Sequence, residues 1–449
     1  MANKWFGTDG IRGKANEFPM TADFAMKLAQ AAGQMICTTK RRVAIGKDTR
    51  LSGDMLEAAL AAGFAAQGVD VVKLGVLPTP AVTMLTPELN VDMSVMITAS
   101  HNPYADNGIK LINARGDKFS DEVTAELEAL IEKGEFSTSR DKVGRIFEDC
   151  SAVERYKKVA LSMVKSAQPL AGLKIVLDCA NGCFSEIMPD LFIRFGAEVD
   201  VIGNHPDGLN INRDCGSTHP EAMKARVKEI QADMGIAVDG DGDRIIVCDD
   251  KGEKIASEQI IGYLAAFLKR TGQLEGRPVV STVLSNTGLE NYIKTLGVDY
   301  YSTPVGERYV VAKMNEVGGA VGGEESGHVV VADYCRTGDA LMVALMLAEA
   351  VKGDGRPMSR IFPIFEMEPT AFVNPRFENR EQVKRIVSEP SFVKLLDECR
   401  AEIAGQGRIV IHPSGTEPLI RVWVCGKNAE LVNRLNKKLV EKAEALKSF

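Results

Sequence analysis

The sequence predicts an α/β protein: three mixed α/β domains followed by a smaller α+β domain at the C-terminal end. Three observations carry this. The chain has 449 residues, whereas single hydrophobic cores stop growing near ~250–300 residues. Short apolar runs alternate with helical stretches over most of its length, the rhythm of βαβ units and mostly parallel sheets. Beyond Pro363 and Pro369 that rhythm gives way to one strand, two helices, two strands and a last helix. The divisions fall at 1–150, 151–252, 253–366 and 367–449, the first approached through the polar segment 134–141.

Composition narrows the function classes. With 45% apolar and 26% charged residues and a net charge of -7, there is no basic footprint for nucleic acid. An anionic ligand therefore needs a local cluster of cations. No run approaches ~18 apolar residues, and Met1 to Trp5 lack the apolar core of a signal peptide, so no membrane partner and a cytoplasmic location are expected. Nine cysteines without paired spacing fit a reducing compartment. Cys179 and Cys183, around Ala180-Asn181-Gly182, read as structural.

In the first domain, Phe6-Gly7-Thr8-Asp9-Gly10-Ile11-Arg12-Gly13 lets backbone amides approach a ligand, with Arg12 a permanent cation among the glycines; a plain hairpin turn is the alternative. Thr21 is expected to cap a helix through Met35, with Phe24, Leu28 and Met35 near one face. A strand at 43–46, the loop 47–53, a helix at 55–66 ended by Gly68 and a strand at 71–74 follow. The run Met93–Ile97 is a buried strand leading into Thr98-Ala99-Ser100-His101-Asn102-Pro103. Pro103 can extend neither a helix nor a central strand, so Ser100 sits on a turn past the strand's carboxyl end. That edge is where open α/β sheets bind ligands. A helix over Asp121–Lys133 closes the domain.

The second domain begins with a strand at Lys174–Asp178, a helix at 188–195 and a strand at 199–202. Residues 206–219 hold too many turn formers for a regular element, and a connection of that length is more often functional than idle. The buried strand Met234–Val238 then runs into Asp239-Gly240-Asp241-Gly242-Asp243-Arg244. Three carboxylates at alternate positions can converge, and would repel one another without a cation. Hard oxygen donors suit Mg²⁺. A calcium loop fails, because Arg244 holds its sixth position and Asp250 its twelfth.

The third domain reads as a helix at 257–269, a strand at 279–283, a helix at 288–296 and a charged loop, 305–309, before a further helix. Gly322-Gly323-Glu324-Glu325-Ser326-Gly327-His328 precedes the strand Val329–Val331 and offers an acid, a hydroxyl and an imidazole to a polyol. The last domain holds strands at 371–373, 408–411 and 419–424 and helices at 381–388, 391–403 and 429–447. In its loop 412–418, Ser414, Thr416 and the amides around Gly415 can cradle an anion on which Arg421 closes.

With four loops in this order, 98–103, 239–244, 323–328 and 414–421, the chain resembles the α-D-phosphohexomutases over essentially its whole length. The stretches 6–13, 48–53, 104–110 and 210–219 narrow the resemblance to the branch that works on glucosamine phosphates. The resemblance implies four domains around a central cleft and a phosphorylated Ser100 beside one Mg²⁺ per chain, held by Ser100, Asp239, Asp241 and Asp243. It implies catalytic parts for Arg12, Lys110, His101 and His328, with Lys110 and His328 the proton-transfer candidates. Arg244, Glu324 and Ser326 would bind substrate, and Ser414, Gly415, Thr416 and Arg421 the phosphate that is not reacting. Phosphoserine would donate to glucosamine 6-phosphate; the 1,6-bisphosphate would turn round and return its 6-phosphate to Ser100. The glucosamine 1-phosphate left behind would supply amino-sugar nucleotide and cell-wall precursors. A homodimer is suggested as well.

Two positions depart from the family's pattern. His412 stands where an arginine is usual; it is mostly neutral near pH 7 and has no fork, which predicts weaker or more pH-dependent phosphate anchoring with Arg421 carrying more of the load. Glu325 stands where glutamine is common and adds a negative charge. Three other readings remain open at this point: a mutase for mannose or glucose phosphates, a Mg²⁺-dependent phosphohydrolase with Asp239 as nucleophile, and an inactive sugar-phosphate binding protein.

Overall fold

Four sheets follow one another along the chain in a computed structural model that describes residues 4–7, 9–137, 142–163, 166–414 and 417–448. The first has six strands in the order Ile11–Lys14, Asp106–Asn113, Met93–Ile97, Arg42–Lys47, Asp70–Val76, Ile146–Glu148. The last four run parallel to one another, as the alternation of elements predicts. Ile11–Lys14 and Asp106–Asn113 are antiparallel additions, where the sequence suggests only loops. Their strand pattern is hidden because Asn107 and Lys110 are buried although polar.

Helices Ala22–Met35 and Ser52–Ala66 cover one face of this sheet. Leu28, Leu56, Leu60 and Phe64 pack over Val43, Ile45 and Val95, each such side chain worth roughly 1.5–3 kcal/mol when fully buried. The expected cap fails: Thr21 makes no side-chain hydrogen bond to the first turn. On the opposite face Ala44, Val82, Leu85 and Met96 join a core that continues through Tyr156, Phe184 and Leu191 to Leu341 and Leu345. The first three units therefore share one apolar interior. The helix Ala340–Asp354 at its centre has no amphipathic period to read over residues 340–348, because that stretch is apolar all round and buried all round.

The second sheet has the order Lys254–Ile255, Ile245–Cys248, Met234–Val238, Lys174–Asp178, Glu198–Ile202. The third is Tyr300–Thr303, Val279–Thr282, Val321–Gly323, Val329–Val331, and the fourth is Thr370–Val373, Ile420–Gly426, Gly407–Pro413. The fourth unit has its own core, with Phe392, Ile420, Val422, Leu435 and Leu439. It docks on the third through Leu284, Trp423 and Cys425 and through Arg408, whose Nη2 donates to the Ser285 carbonyl at 2.9 Å.

All four motif loops are tips between antiparallel neighbours. Met93–Ile97 pairs with Asp106–Asn113, Met234–Val238 with Ile245–Cys248, Val321–Gly323 with Val329–Val331 and Gly407–Pro413 with Ile420–Gly426. Ser100 lies where expected, past the carboxyl end of Met93–Ile97, a strand that pairs parallel with Arg42–Lys47 on one side and antiparallel with Asp106–Asn113 on the other. A connection as short as 98–105 can only turn the chain back, since a parallel crossover needs about a dozen residues or more. Among the described residues no helix is long and apolar enough to cross a membrane. All nine cysteines are free, Cys179 and Cys183 being buried.

Candidate active site

Ser100 sits at the tip of the first loop with φ +53°, a left-handed conformation that a non-glycine residue keeps only when its surroundings impose it. The surroundings are specific. Its amide donates to Thr98 Oγ1 at 2.8 Å, and Thr98 Oγ1 donates to Asp48 Oδ2 at 2.7 Å. Asp48 pairs with Arg50 at 2.8 Å, both side chains fully buried. The Arg50 guanidinium then donates to the carbonyls of Ser100 (3.0 Å), Asn102 (2.8 Å), Asp106 (3.0 Å) and Pro103. From the second unit, Asn212 Nδ2 donates to the Ser100 and Asn102 carbonyls at 2.8 and 3.0 Å. The irregular segment 206–219 thus braces the serine loop from across the domain boundary.

This leaves the Ser100 hydroxyl free to donate to Asp239 Oδ2 at 2.6 Å, with His101 Nδ1 3.3 Å from Ser100 Oγ. Asp239, Asp241 and Asp243 are buried, and each offers a carboxylate oxygen within 4.8 Å of the others. The glycines between them are required by space: a Cβ at Gly240 would lie 2.5 Å from Ile211 Cδ1 and 3.0 Å from the Ser100 carbonyl, and Gly242 has φ +73°. Burial, then the charges of Asp243 and Asp241, push the Asp239 carboxyl well above its usual range. For Asp243 burial acts the same way, but Lys110 and His328 overcome it and hold the group well below.

Lys110 is the nearest cation, its Nζ 2.8 Å from Asp241 Oδ2, 3.0 Å from Asp243 Oδ2 and 3.4 Å from Asp9 Oδ2. Burial opposes its charge, yet those three acids hold it well above the usual lysine value. Thr79 Oγ1 also donates to Asp241 Oδ2, at 2.5 Å. Of the other oxygens, Asp243 Oδ1 lies 3.2 Å from His328 Nε2, and Asp241 Oδ1 is buried without a hydrogen-bond partner. An orphaned anionic oxygen in a convergent all-oxygen set fits a small divalent cation.

The third unit's loop closes on this cluster. Ile245 N donates to the Gly327 carbonyl at 3.0 Å, and Arg244 forms a β-bridge with His328. Glu324 Oε1 lies 2.6 Å from His328 Nδ1 and accepts from Ser326 Oγ at 2.6 Å. Burial opposes the charge of Glu324, but His328 and Ser326 lower it to about 2. Burial and Arg244 oppose protonation of His328, yet Asp243 and Glu324 raise it to about 10. Burial, Arg244 and Arg12 push His101 the other way, to about 3. Arg12 Nη1 donates to the Ala99 carbonyl at 3.3 Å, and the guanidinium pairs with Asp9. Arg12, Arg244, Lys118, Glu307, Glu324 and His328 line a cavity of about 380 Å³, room for a sugar phosphate. Glu325 is exposed and accepts from Thr282 Oγ1 at 3.3 Å.

The fourth loop stands apart. Ser414 Oγ accepts from the Glu417 amide at 3.2 Å, and Arg421 faces His412 across the strand pair. Burial and the Arg421 charge lower His412 below the ordinary imidazole value. Gly415 and Thr416 lie outside the described residues. Neither His412 nor Arg421 makes a described hydrogen bond or ion pair to the Ser100 cluster.

Sequence reasoning missed the supports. Asp48, Arg50 and Asn212 lie in stretches whose residue pattern gives them no evident part, and nothing in the sequence around Thr79 marks it. Asp9, Lys118 and Glu307 form a charged chain, Lys118 Nζ reaching both acids at 2.8 Å, which joins the first unit to the third. A charged residue directly after a buried strand, as Asp48 is after Arg42–Lys47, is a signal that could have found the first of these supports.

Models of the four phosphoglucomutase/phosphomannomutase domains match residues 3–138, 153–252, 256–366 and 373–442, as domains I, II, III and the C-terminal domain. The chain therefore belongs to the phosphoglucomutase/phosphomannomutase family, on the branch of the phosphoglucosamine mutases. On that branch, a phosphoglucosamine mutase of Phenylobacterium zucineum is 46% identical over 97% of both chains, and one of Mesorhizobium japonicum is 43% identical over 98% of both. A crystal structure of a phosphoglucomutase/phosphomannomutase family protein from Burkholderia thailandensis superposes with a TM-score of 0.83 at 25% identity, covering 99% of this chain and 98% of that one.

Proposed function

We propose that this enzyme, an isomerase of the phosphohexomutase class, interconverts glucosamine 6-phosphate and glucosamine 1-phosphate through a phosphoserine at Ser100 and a 1,6-bisphosphate. The observation that carries the reading is the 2.6 Å contact between the Ser100 hydroxyl and Asp239 at the edge of the three-acid cluster. A nucleophile held in a forced backbone conformation beside convergent acids is positioned for phosphoryl transfer, which depends on placement and charge stabilisation above all.

Asp239, Asp241 and Asp243 would hold Mg²⁺ with an oxygen of the Ser100 phosphate, and the ion supplies charge neutralisation on the phosphoryl oxygens. Lys110, cationic in its acid cage, and Arg244 and Arg12 add fixed positive charge around the same point. Glu324, which lines the cavity with Oε1 tied to His328 and Ser326, takes sugar hydroxyls. His101, neutral, and His328 stand where a proton leaving the attacking hydroxyl can be received or returned. Ser414, Gly415, Thr416 and Arg421 grip the distal phosphate, and the grip must release when the bisphosphate turns round. The reading includes a cytoplasmic homodimer.

The test is a side-by-side assay of glucosamine, glucose and mannose 6-phosphates with the parent and the Ser100→Ala variant. The reading expects the highest kcat/KM for glucosamine 6-phosphate and no turnover by the variant. A preference for another sugar would move the protein to a different branch of the family.

A further inference from the structure

We propose that Thr79 is a positioning residue for the divalent-ion site, fixing the Asp241 carboxylate from the neighbouring domain so that one oxygen is left to face the cluster. The inference rests on the reading of the three acids as a Mg²⁺ site. Asp241 divides its two oxygens unequally. Oδ2 accepts from Thr79 Oγ1 at 2.5 Å and from Lys110 Nζ at 2.8 Å, whereas Oδ1 is buried without a hydrogen-bond partner. Two donors on one oxygen set the rotation of the carboxylate plane and leave the other oxygen as the ligand atom. Asp241 carries this arrangement across a domain boundary, because Thr79 belongs to the first sheet's domain and Asp241 to the second's.

The backbone makes the tie rigid. Thr79 N donates to the Asp241 carbonyl at 2.9 Å, and Cys183 Sγ lies 3.2 Å from the Leu77 carbonyl just upstream. Pro78 precedes the residue and Pro80 follows it at the start of the helix Thr79–Leu85, which stiffens the backbone carrying the hydroxyl, and the β-branched side chain is itself restricted at χ1. Behind it, Thr79 and Lys110 both line a cavity of about 640 Å³ between the first and third units. Without the hydroxyl, Asp241 Oδ2 would keep Lys110 alone on that side, and the carboxylate could turn toward the cavity. Groups that orient metal ligands in this way are worth about 10–100-fold in metal affinity.

The experiment compares Thr79→Val and Thr79→Ser with the parent, each as the full-length dephosphorylated chain. Mg²⁺ binding is measured by calorimetry and Mn²⁺ binding by electron paramagnetic resonance. Valine keeps the backbone tie and the methyl packing but loses the donor; serine keeps the donor. The inference expects the dissociation constant of Thr79→Val to rise about 10–100-fold, with Thr79→Ser staying close to the parent. Binding by Thr79→Val as tight as the parent's overturns it, as does equal weakening in Thr79→Ser, which would place the effect in packing. A parent chain that binds neither ion overturns the metal-site reading itself, a separate failure.

Discussion

The Ser100 tip and the Ser414–Arg421 tip are built alike, each joining two antiparallel strands, yet they are held in opposite ways. Ser100 is fastened from two domains, by Arg50 and Thr98 on its own side and by Asn212 and Asp239 across the boundary. The C-terminal tip belongs to a unit with a separate core, which meets the rest of the chain at the third domain through Trp423, Cys425 and Arg408. Under the proposed function, the chemistry demands a fixed oxygen and would lie at the shared interior. The phosphate grip has to let the substrate turn and would lie on the unit with its own core.

The largest effect that could break this contrast is at the nucleophile. Ser100→Ala is expected to lower kcat by about 10⁴-fold or more, the order seen when a covalent nucleophile is removed, while the protein keeps its fold by circular dichroism. Turnover at a tenth of the parent's rate would mean the tip is only a structural turn. Next comes the clamp. Arg50→Ala leaves Asp48 buried and unpaired, and urea unfolding is expected to show a loss of about 3–5 kcal/mol. The corresponding cut in the C-terminal tip, Arg376→Ala, removes an exposed pair with Glu417 and is expected to cost ~0–1 kcal/mol. Equal losses would erase the distinction.

A pH series sharpens it further at the seam between the second and third domains. Burial raises Asp339 to about 7, against the hydrogen bonds from Met342, Tyr156 and Leu341. The folded chain then holds a proton that the unfolded chain, with an ordinary value of about 3.9, has lost. This contribution to stability is therefore greatest at low pH and falls as pH rises from about 4 to about 7. Subtracting the profile of Asp339→Asn, which keeps a helix-capping side chain, should isolate that fall; parallel profiles would contradict it. The smallest effect concerns His412. Its lowered value keeps it uncharged at neutral pH, so His412→Arg is expected to lower KM for the sugar phosphate by about 1 kcal/mol, roughly fivefold. No gain would mean Arg421 alone anchors the phosphate.

Much of this was legible in the residues because apolar runs ending in polar loops mark both strands and the sites at their ends. Met93–Ile97 and Met234–Val238 end where the sequence expects them to, directly before Ser100's loop and Asp239. The sequence could not show that both strands turn back on themselves, since the returning strand 106–113 carries Asn107 and Lys110 inward for the site's sake. Nor could it show Arg50 wrapped around four carbonyls, or Thr79 on Asp241: such partners are neighbours only after the sheets have stacked. The stretch 414–421 reads as a loop between strands, but the part proposed for Ser414 and Arg421 depends on a ligand that the residue pattern does not specify.

The most direct test of the account is to incubate the chain with glucosamine 1,6-bisphosphate, map the phosphorylated peptide and chase it with glucosamine 6-phosphate. The account predicts one phosphoryl group on Ser100 that passes to the sugar. A phosphoryl group on Asp239, or none retained by the protein, would contradict it.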